Sequence, residues 1–273
     1  PPITEAAADR LAAAVAARRP PREDAIGALY GNNPAKGTRA AWLQGRLIAA
    51  DIRPAGFDSP CLPVADVLAE GAHDVIGDRA YGSDPQTVTS LAEAAAQGLF
   101  DGGCLPVMKH LPGHGKAKAD SHFSLPDIDA PRAAIEADFA PFRALNTLPM
   151  AMTGHVRIRA IDEAPATLSK AAVTVVREEI GFAGLLMTDD ISMGALGGRV
   201  EKNAVRALEA GCDSVLHCNG KMREMRAIAD ALPPITEAAA DRLAAAVAAR
   251  RPPREDDIEA LRDEFDTLLG VRT

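Results

Sequence analysis

The residues best suited to chemistry are concentrated in one short stretch. Residues 107–126 read V-M-K-H-L-P-G-H-G-K-A-K-A-D-S-H-F-S-L-P and contain three of the six histidines. Pro112 and the glycines on either side of His114 exclude a regular helix. Asp120 and His122 are two residues apart, so in extended backbone both side chains point to one side and the carboxylate can accept a proton from the imidazole. This spacing predicts a general acid/base pair.

The elements that must position this stretch are predicted from apolar runs. The apolar run from Cys104 to Met108 is followed at once by Lys109 and His110. This is the pattern of a buried strand carrying a reactive loop at its carboxyl end. Further short apolar runs alternate with helical segments and predict a parallel sheet with right-handed crossovers. The five predicted strands are Cys61–Val67, Leu105–Met108, Pro149–Met152, Leu185–Met187 and Asp213–His217. The polar motifs all follow these strands, where barrel enzymes keep their sites.

Helices are predicted between the strands from apolar spacing and capping residues. Asp84 followed by Pro85 is an N-cap with proline at the first helical position. The predicted helices are Thr38–Ile52, Pro85–Leu99, Pro131–Leu145, Lys170–Ile180, one ending near Gly211 and two more segments before the carboxyl-terminal tail.

Composition limits the class of protein. The chain has 273 residues, 47% hydrophobic and only 4% aromatic, which fits one α/β barrel with an aliphatic core. A net charge of −8 argues against nucleic acid or an anionic membrane as a partner. With no membrane-length apolar run and no leader pattern, the expected location is the cytoplasm. The four cysteines lack metal-type spacing and are predicted to be buried, reduced thiols.

Two segments of the chain have the same sequence. Residues 1–24 recur letter for letter as residues 233–256. Because diverging natural repeats do not stay identical and no period lies between the copies, a rearrangement of the gene or sequence is the expected origin. Each copy is predicted to form one alanine-rich helix with Thr4 or Thr236 as its N-cap.

Several ordered motifs together resemble one enzyme family. K-H-L-P-G-H-G with D-S-H-F-S-L-P, the preceding I-G-D-R and the following T-D-D-I-S-M-G-A-L are similar to motifs of the β-N-acetylhexosaminidases of glycoside hydrolase family 3, the NagZ type. The resemblance covers residues 28–253. It implies a (β/α)8 barrel that removes terminal N-acetylglucosamine with retention, from anhydro-muropeptides of bacterial cell-wall recycling in the cytoplasm, without a metal or other cofactor.

The resemblance also implies residue roles. Asp189 matches the nucleophile, His122 the acid/base and Asp120 its partner. Sugar-binding positions are matched by Arg79, Lys109 and His110. The chemistry is consistent, because an imidazole with an ordinary pKa of about 6.5 can protonate a leaving oxygen and then deprotonate water near neutral pH. Asp190 would point away from its neighbour and cap the following loop.

Other interpretations of the same residues remain open. Asp189 or Asp190 could be a loop-capping acid, and Arg79 could pair with a nearby surface carboxylate. A metal-dependent barrel hydrolase is the second class of function, because His110, His114, Asp120 and His122 are ligand types. Against a metal, no two histidines share a regular element and Lys109 would place a cation beside the ion.

A third interpretation concerns the amino-terminal third. The family pattern has three strand segments before the helix at Thr38, the third followed by a D-Q-E-G-G-R-like sugar-binding loop, and none of these occurs here. The chain could therefore be a truncated, weakly active or inactive member. Five strands do not close a barrel, which needs about eight. We predict an incomplete barrel, with residues 1–19 helical over the gap and with self-association through open sheet edges.

Overall fold

The parallel sheet of this chain is built in sequence order, each strand beside the one before it. The computed structural model describes residues 23–271, so the predicted helix within residues 1–19 and its cap at Thr4 lie outside the described residues. The sheet has four parallel strands in the order β1-β3-β5-β6. The strands are β1 (Val107–Leu111), β3 (Met150–Thr153), β5 (Leu185–Asp190) and β6 (Ser214–Leu216), with a separate two-stranded pair formed by β2 (Asp127–Ile128) and β4 (Arg157–Ile158).

Helices follow and flank these strands. They are α1 (Glu23–Asn32), α2 (Pro34–Ile52), α3 (Pro85–Asp101), α4 (Arg132–Ala137), α5 (Ala140–Ala144), α6 (Lys170–Thr174), α7 (Val200–Ala210), α8 (Met222–Ala231), α9 (Glu237–Ala248) and α10 (Ile258–Leu269). The fold is an incomplete TIM-type (β/α) barrel, as the sequence predicts. The predicted caps are confirmed for α3, where Asp84 accepts the amide of Thr87, and for α9, where Thr236 accepts the amide of Ala239.

The segment Cys61–Val67 was predicted as the first strand, but it does not form a regular strand. In this segment Val64 alone forms a bridge, to Lys109 of β1. The segment nevertheless lies parallel to β1, because Lys109 donates to the carbonyl of Pro63 at 3.1 Å and accepts from the amide of Ala65 at 2.7 Å. Pro63 has no amide hydrogen to donate, which explains why the ladder stays short. The segment therefore takes the first place in the predicted sequential order of five.

Several element boundaries differ from the prediction. Strands β1 and β5 run further than their apolar runs and include Lys109, His110, Asp189 and Asp190. The predicted helix Pro131–Leu145 is two short helices, and the helix from Lys170 ends in a π-helical turn over Val175–Glu179. Helix α2 begins at Pro34, four residues earlier than predicted, because Asn33 caps it.

The carboxyl-terminal copy of the repeat lies against the sheet. Ala246 of α9 is buried with side chains of β1, β3 and β5 in one apolar cluster; its strand members are Val107, Met150, Met152 and Leu185, joined by Leu105 before β1. Arg242 of the same helix donates to Asp213, just before β6, at 2.8 Å. An alanine-rich helix therefore covers apolar sheet surface, where small side chains allow close approach.

Helices α2 and α3 approach each other through glycine. A Cβ atom added to Gly45 would lie 2.1 Å from the carbonyl oxygen of Ala95, and one added to Gly98 would lie 2.1 Å from the carbonyl oxygen of Trp42. Both distances are shorter than any normal contact. The two helices therefore pack backbone against backbone, which only glycine permits at these positions.

Gly45→Ala should destabilise the fold strongly. The added methyl group cannot be accommodated without separating the two helices, so we expect the free energy of unfolding to fall by about 3 kcal/mol or more. Urea denaturation measures the change. Gly31→Ala is the matched control, because nothing lies within 4 Å of a Cβ atom at that helical position, and it should change stability by no more than about 1 kcal/mol. Equal values for the two variants would contradict the packing described.

The prediction for the cysteines is half wrong. Cys104 and Cys212 are buried, but Cys61 and Cys218 are exposed, and all four are free thiols. Cys61 belongs to the irregular segment beside β1, and Cys218 follows the edge strand β6. No helix within residues 23–271 is long and apolar enough to span a membrane.

Candidate active site

The carboxyl end of β5 places a largely buried carboxylate at the edge of the sheet. Asp189 accepts a hydrogen bond from the amide of Asp190 at 2.8 Å. Burial raises the pKa of Asp189, but the charges of His110, His155 and Lys109 and this hydrogen bond lower it, and the net pKa lies below the usual value. Asp189 is therefore held in the ionised form that a nucleophile requires.

The neighbouring residue, Asp190, stabilises the loop that follows β5. The Asp190 carboxylate accepts the amide of Ser192 at 3.0 Å, the Ser192 hydroxyl at 2.8 Å and the amide of Cys218 at 3.1 Å. Asp190 thus caps the loop after β5 and ties it to the end of β6, as the alternation of side chains predicts. The loop-capping interpretation therefore describes Asp190, while the carboxylate of Asp189 remains available.

Strand β1 carries Lys109 and His110, whose charges lower the pKa of Asp189. The Nδ1 atom of His110 lies 2.6 Å from Oδ2 of Asp66, and Oδ1 of Asp66 accepts the amide of His114 at 2.7 Å. Burial raises the pKa of Asp66, but the charge of His110 and these hydrogen bonds lower it below its usual value. The sequence analysis missed Asp66. Its signal was a lone acid within the apolar run C-L-P-V-A-D-V.

A further histidine, His155, supports the end of β5. The Nε2 atom of His155 lies 2.9 Å from the backbone carbonyl oxygen of Asp190, and Nδ1 lies 2.7 Å from the Thr167 hydroxyl. A carbonyl oxygen can only accept, so Nε2 carries the proton. Burial lowers the pKa of His155, although the charges of Asp189 and Asp190 oppose this. His155 is thus a buried ring whose hydrogen bond to the Asp190 carbonyl fixes the backbone beside Asp189.

Asp120 and His122 form the predicted pair, but on a turn rather than in extended backbone. Oδ1 of Asp120 accepts the amide of His122 at 2.8 Å and lies 2.7 Å from its Nδ1 atom, while the Asp120 carbonyl accepts the amide of Phe123 at 3.1 Å. Slight burial raises the pKa of Asp120, but the hydrogen bonds from His122 lower it by more, so the net pKa lies below the usual value. The His122 side chain is 58% exposed, so its other nitrogen can reach a ligand.

Two backbone hydrogen bonds join the loop of His122 to the loop after β5. Gly194 donates to the carbonyl of His122 at 3.0 Å, and Ala195 donates to that of Ser121 at 3.2 Å. A Cβ atom at position 194 would lie 2.8 Å from the carbonyl oxygens of both His122 and Phe123, so the close approach requires glycine. The motif of Asp189 therefore positions the motif of His122, although within residues 23–271 no hydrogen bond or ion pair links the two side chains.

Arg79 lies on a short 3-10 helix, Gly77–Arg79, and its Nε atom donates to the carbonyl of Val75 at 3.1 Å. Glu23 at the start of α1 was also missed by the sequence analysis. Burial raises the pKa of Glu23, and the charges of Lys109 and Arg79 partly oppose this. Two of the predicted sugar-binding cations therefore share a neighbouring carboxylate. Lys109 thus influences both Glu23 and Asp189.

The histidine geometry does not resemble a metal centre. The ring centroids of His110 and His114 are 5.7 Å apart, and Nδ1 of His110 is engaged by Asp66. Burial lowers the pKa of His114 to about 4, and neither of its ring nitrogens has a hydrogen-bond partner in the described part of the chain. Within residues 23–271 no group of three or more His, Cys, Asp or Glu side chains is arranged to hold a metal ion.

Comparison with known proteins identifies the family. The Glycosyl hydrolase family 3 N terminal domain matches residues 20–249. The beta-hexosaminidase of Alkalilimnicola ehrlichii is 41% identical over 207 residues, which are 74% of this chain and 59% of that protein. A second beta-hexosaminidase, from Nitrosospira multiformis, is 38% identical over 208 residues, again 59% of its length. The chain therefore belongs to glycoside hydrolase family 3, and it spans less than two thirds of these relatives.

Solved structures agree with this assignment. NagZ from Neisseria gonorrhoeae, in complex with N-trifluoroacetyl-D-glucosamine, superposes with a TM-score of 0.79 at 30% identity over 92% of this chain and 75% of that one. A family 3 β-N-acetylglucosaminidase from Paenibacillus sp. superposes with a TM-score of 0.78 at 28% identity, over 89% of this chain and 50% of that one. The similarity confirms the barrel-type fold predicted from the motifs.

Proposed function

We propose that this chain is a retaining β-N-acetylglucosaminidase that acts on peptidoglycan-derived anhydro-muropeptides in the cytoplasm. The observation that carries the proposal is the pairing of two loops: the loop after ionised Asp189 holds the loop of His122 through the amides of Gly194 and Ala195. An ionised carboxylate and a proton donor on adjoining loops are the two groups that a retaining glycosidase requires. The hexosaminidase relatives and the glucosamine derivative bound by the gonococcal neighbour support the choice of sugar.

The proposed reaction has two steps. In the first, an oxygen of Asp189 bonds to the anomeric carbon while the bond to the leaving oxygen breaks and protonated His122 gives that oxygen its proton. In the second, neutral His122 takes a proton from water, whose oxygen bonds to the anomeric carbon and releases Asp189. Asp120 accepts a hydrogen bond from Nδ1 of His122, so it orients the ring and favours its charged form.

Binding of the sugar falls to the polar groups around Asp189. Lys109 and His110 of β1 lie near enough for their charges to lower the pKa of Asp189. Arg79 lies beside Glu23, whose pKa it influences together with Lys109. We propose that Arg79 and Lys109 donate hydrogen bonds to sugar hydroxyls, and that His110 contacts a sugar hydroxyl through its ring nitrogen Nε2.

A panel of chromogenic substrates tests the proposed function. We expect the 4-nitrophenyl β-glycoside of N-acetylglucosamine to be hydrolysed with a kcat/KM at least about 100-fold above that of the corresponding glucoside, because a site that binds a polar group rejects the analogue lacking it. Hydrolysis of an anhydro-muropeptide tests the natural substrate class. No hydrolysis of any of these, or equal rates on both glycosides, would contradict the proposal.

We also propose that the chain self-associates through its open sheet edge. Strand β6 stands last in the order β1-β3-β5-β6, and its three residues are only half-buried. Unpaired strand edges recruit other strands. Sedimentation velocity should show a sedimentation coefficient that rises with protein concentration, and a charged substitution at the edge, Val215→Lys, should reduce the rise. A concentration-independent monomer would contradict this.

A further inference from the structure

Asp66 is a buried ionisable group to which the mechanism above assigns no role. Asp66 is fully buried, at 0% exposure, in a segment that is otherwise apolar. Its two carboxylate oxygens are both engaged: Oδ2 lies 2.6 Å from Nδ1 of His110, and Oδ1 accepts the backbone amide of His114 at 2.7 Å. A buried carboxylate is costly unless it is paired, so a role in the site explains why an acid stands here.

The protonation states follow from this geometry. An ionised carboxylate can only accept hydrogen bonds, so Nδ1 of His110 must carry the hydrogen that points at Asp66. The proton of a neutral His110 ring is then excluded from Nε2. His110 on β1 and Asp189 on β5 lie toward the carboxyl ends of two parallel strands that both flank β3.

We infer that Asp66 is a positioning residue that holds the His110 proton on Nδ1 and leaves Nε2 free for a hydroxyl of the bound sugar. The role for the sugar rests on the proposed function, whereas the protonation of His110 does not. Within residues 23–271 Asp66 forms hydrogen bonds with His110 and His114 and none with Asp189. It acts through His110, in the way that a carboxylate fixes the tautomer of a catalytic histidine in other enzymes.

Asp66→Asn gives a specific expectation because asparagine has one acceptor oxygen where aspartate has two. The backbone amide of His114 can only donate, so the asparagine oxygen must face it. The asparagine amino group then faces Nδ1 of His110, which can no longer carry a hydrogen there. We expect the neutral ring to move its proton to Nε2. Side-chain volume is unchanged, so the fold should tolerate the substitution.

Ring nitrogen chemical shifts in protein labelled with 15N-histidine report the tautomer directly. The signals of His110 are identified by their loss in His110→Gln. We expect a protonated Nδ1 in the unsubstituted chain and a protonated Nε2 in Asp66→Asn. Asp138→Asn is the matched control: Asp138 is another buried acid, 2.5 Å from Lys116. Within residues 23–271 it forms no hydrogen bond or ion pair with His110, so its variant should keep the original tautomer.

Kinetics test the consequence for the sugar. We expect Asp66→Asn to lower kcat/KM about 10- to 100-fold with a raised KM, the usual cost of one mispaired buried hydrogen bond to a charged group. Asp138→Asn should stay within about threefold of the unsubstituted chain. A protonated Nε2 in the unsubstituted chain, or an Asp66→Asn variant with unchanged tautomer and kinetics, would overturn the inference. An inactive but correctly protonated parent chain would instead overturn the proposed function alone.

Discussion

Asp189→Ala should lower kcat/KM by about 10⁴-fold or more on every substrate, because removal of a nucleophile eliminates the covalent route and leaves only binding and electrostatic effects. Steady-state hydrolysis of the 4-nitrophenyl glycoside measures the loss. The lowered pKa of Asp189 adds a second expectation: the carboxylate stays ionised throughout the neutral range, so any loss of activity near pH 6 must arise from another group.

The adjoining acid is the matched control for Asp189. Asp190→Ala removes the cap on Ser192 and Cys218 and should cost stability, but it should remain at least about 100-fold more active than Asp189→Ala because the attacking oxygen is still present. Azide added to Asp189→Ala should restore turnover and yield the glycosyl azide of inverted configuration, since the anion attacks from the face that the carboxylate left. Asp190→Ala as the less active of the two would contradict the assignment.

His122→Ala should show a loss that depends on the leaving group. On a disaccharide, whose leaving oxygen needs a proton, we expect kcat/KM to fall by about 10³-fold. On the 4-nitrophenyl glycoside, whose leaving group departs without protonation, we expect a smaller loss, of about 10-fold. The comparison of the two substrates is the measurement, because a merely structural defect would affect both equally.

Phe123→Ala is the control for the loop itself. Phe123 follows His122 and is 82% exposed, so its removal alters the same turn without removing a proton donor. The ratio of the two substrate rates should stay at the value of the unsubstituted chain. A loss in His122→Ala that is the same on both substrates would contradict its role as acid/base.

The motifs predicted much of the site because chemistry needs particular side chains at particular spacings. Asp120 and His122 are paired as expected, although a turn, and not extended backbone, brings their side chains together. Lys109 and His110 lie near enough to Asp189 for their charges to lower its pKa. Helix α3 was predicted almost to the residue, because Asp84 and Pro85 specify its start independently of tertiary contacts.

The other features of the fold and of the site depend on contacts between segments that are distant in the sequence. The spacing of residue types along the chain does not reveal such contacts. Asp66 has no motif around it, and its contact with His110 exists only because residues 62–65 lie beside β1. Gly194 is one of many glycines in the sequence. Only the structure shows that this position has no room for a side chain, because the loop of His122 packs against it. The pairing of β2 with β4 involves two residues on each strand, too few for an alternating pattern to be read.

Trapping of the covalent intermediate tests the central claim most directly. The chain is mixed with a large excess of 4-nitrophenyl β-N-acetylglucosaminide, quenched in acid within the first turnovers, digested and examined by mass spectrometry. The account predicts one N-acetylglucosaminyl unit on the peptide that contains Asp189, absent from Asp189→Ala, with the β-anomer as the first free product. An α-anomer released first without any adduct, or an adduct on another residue, would contradict it.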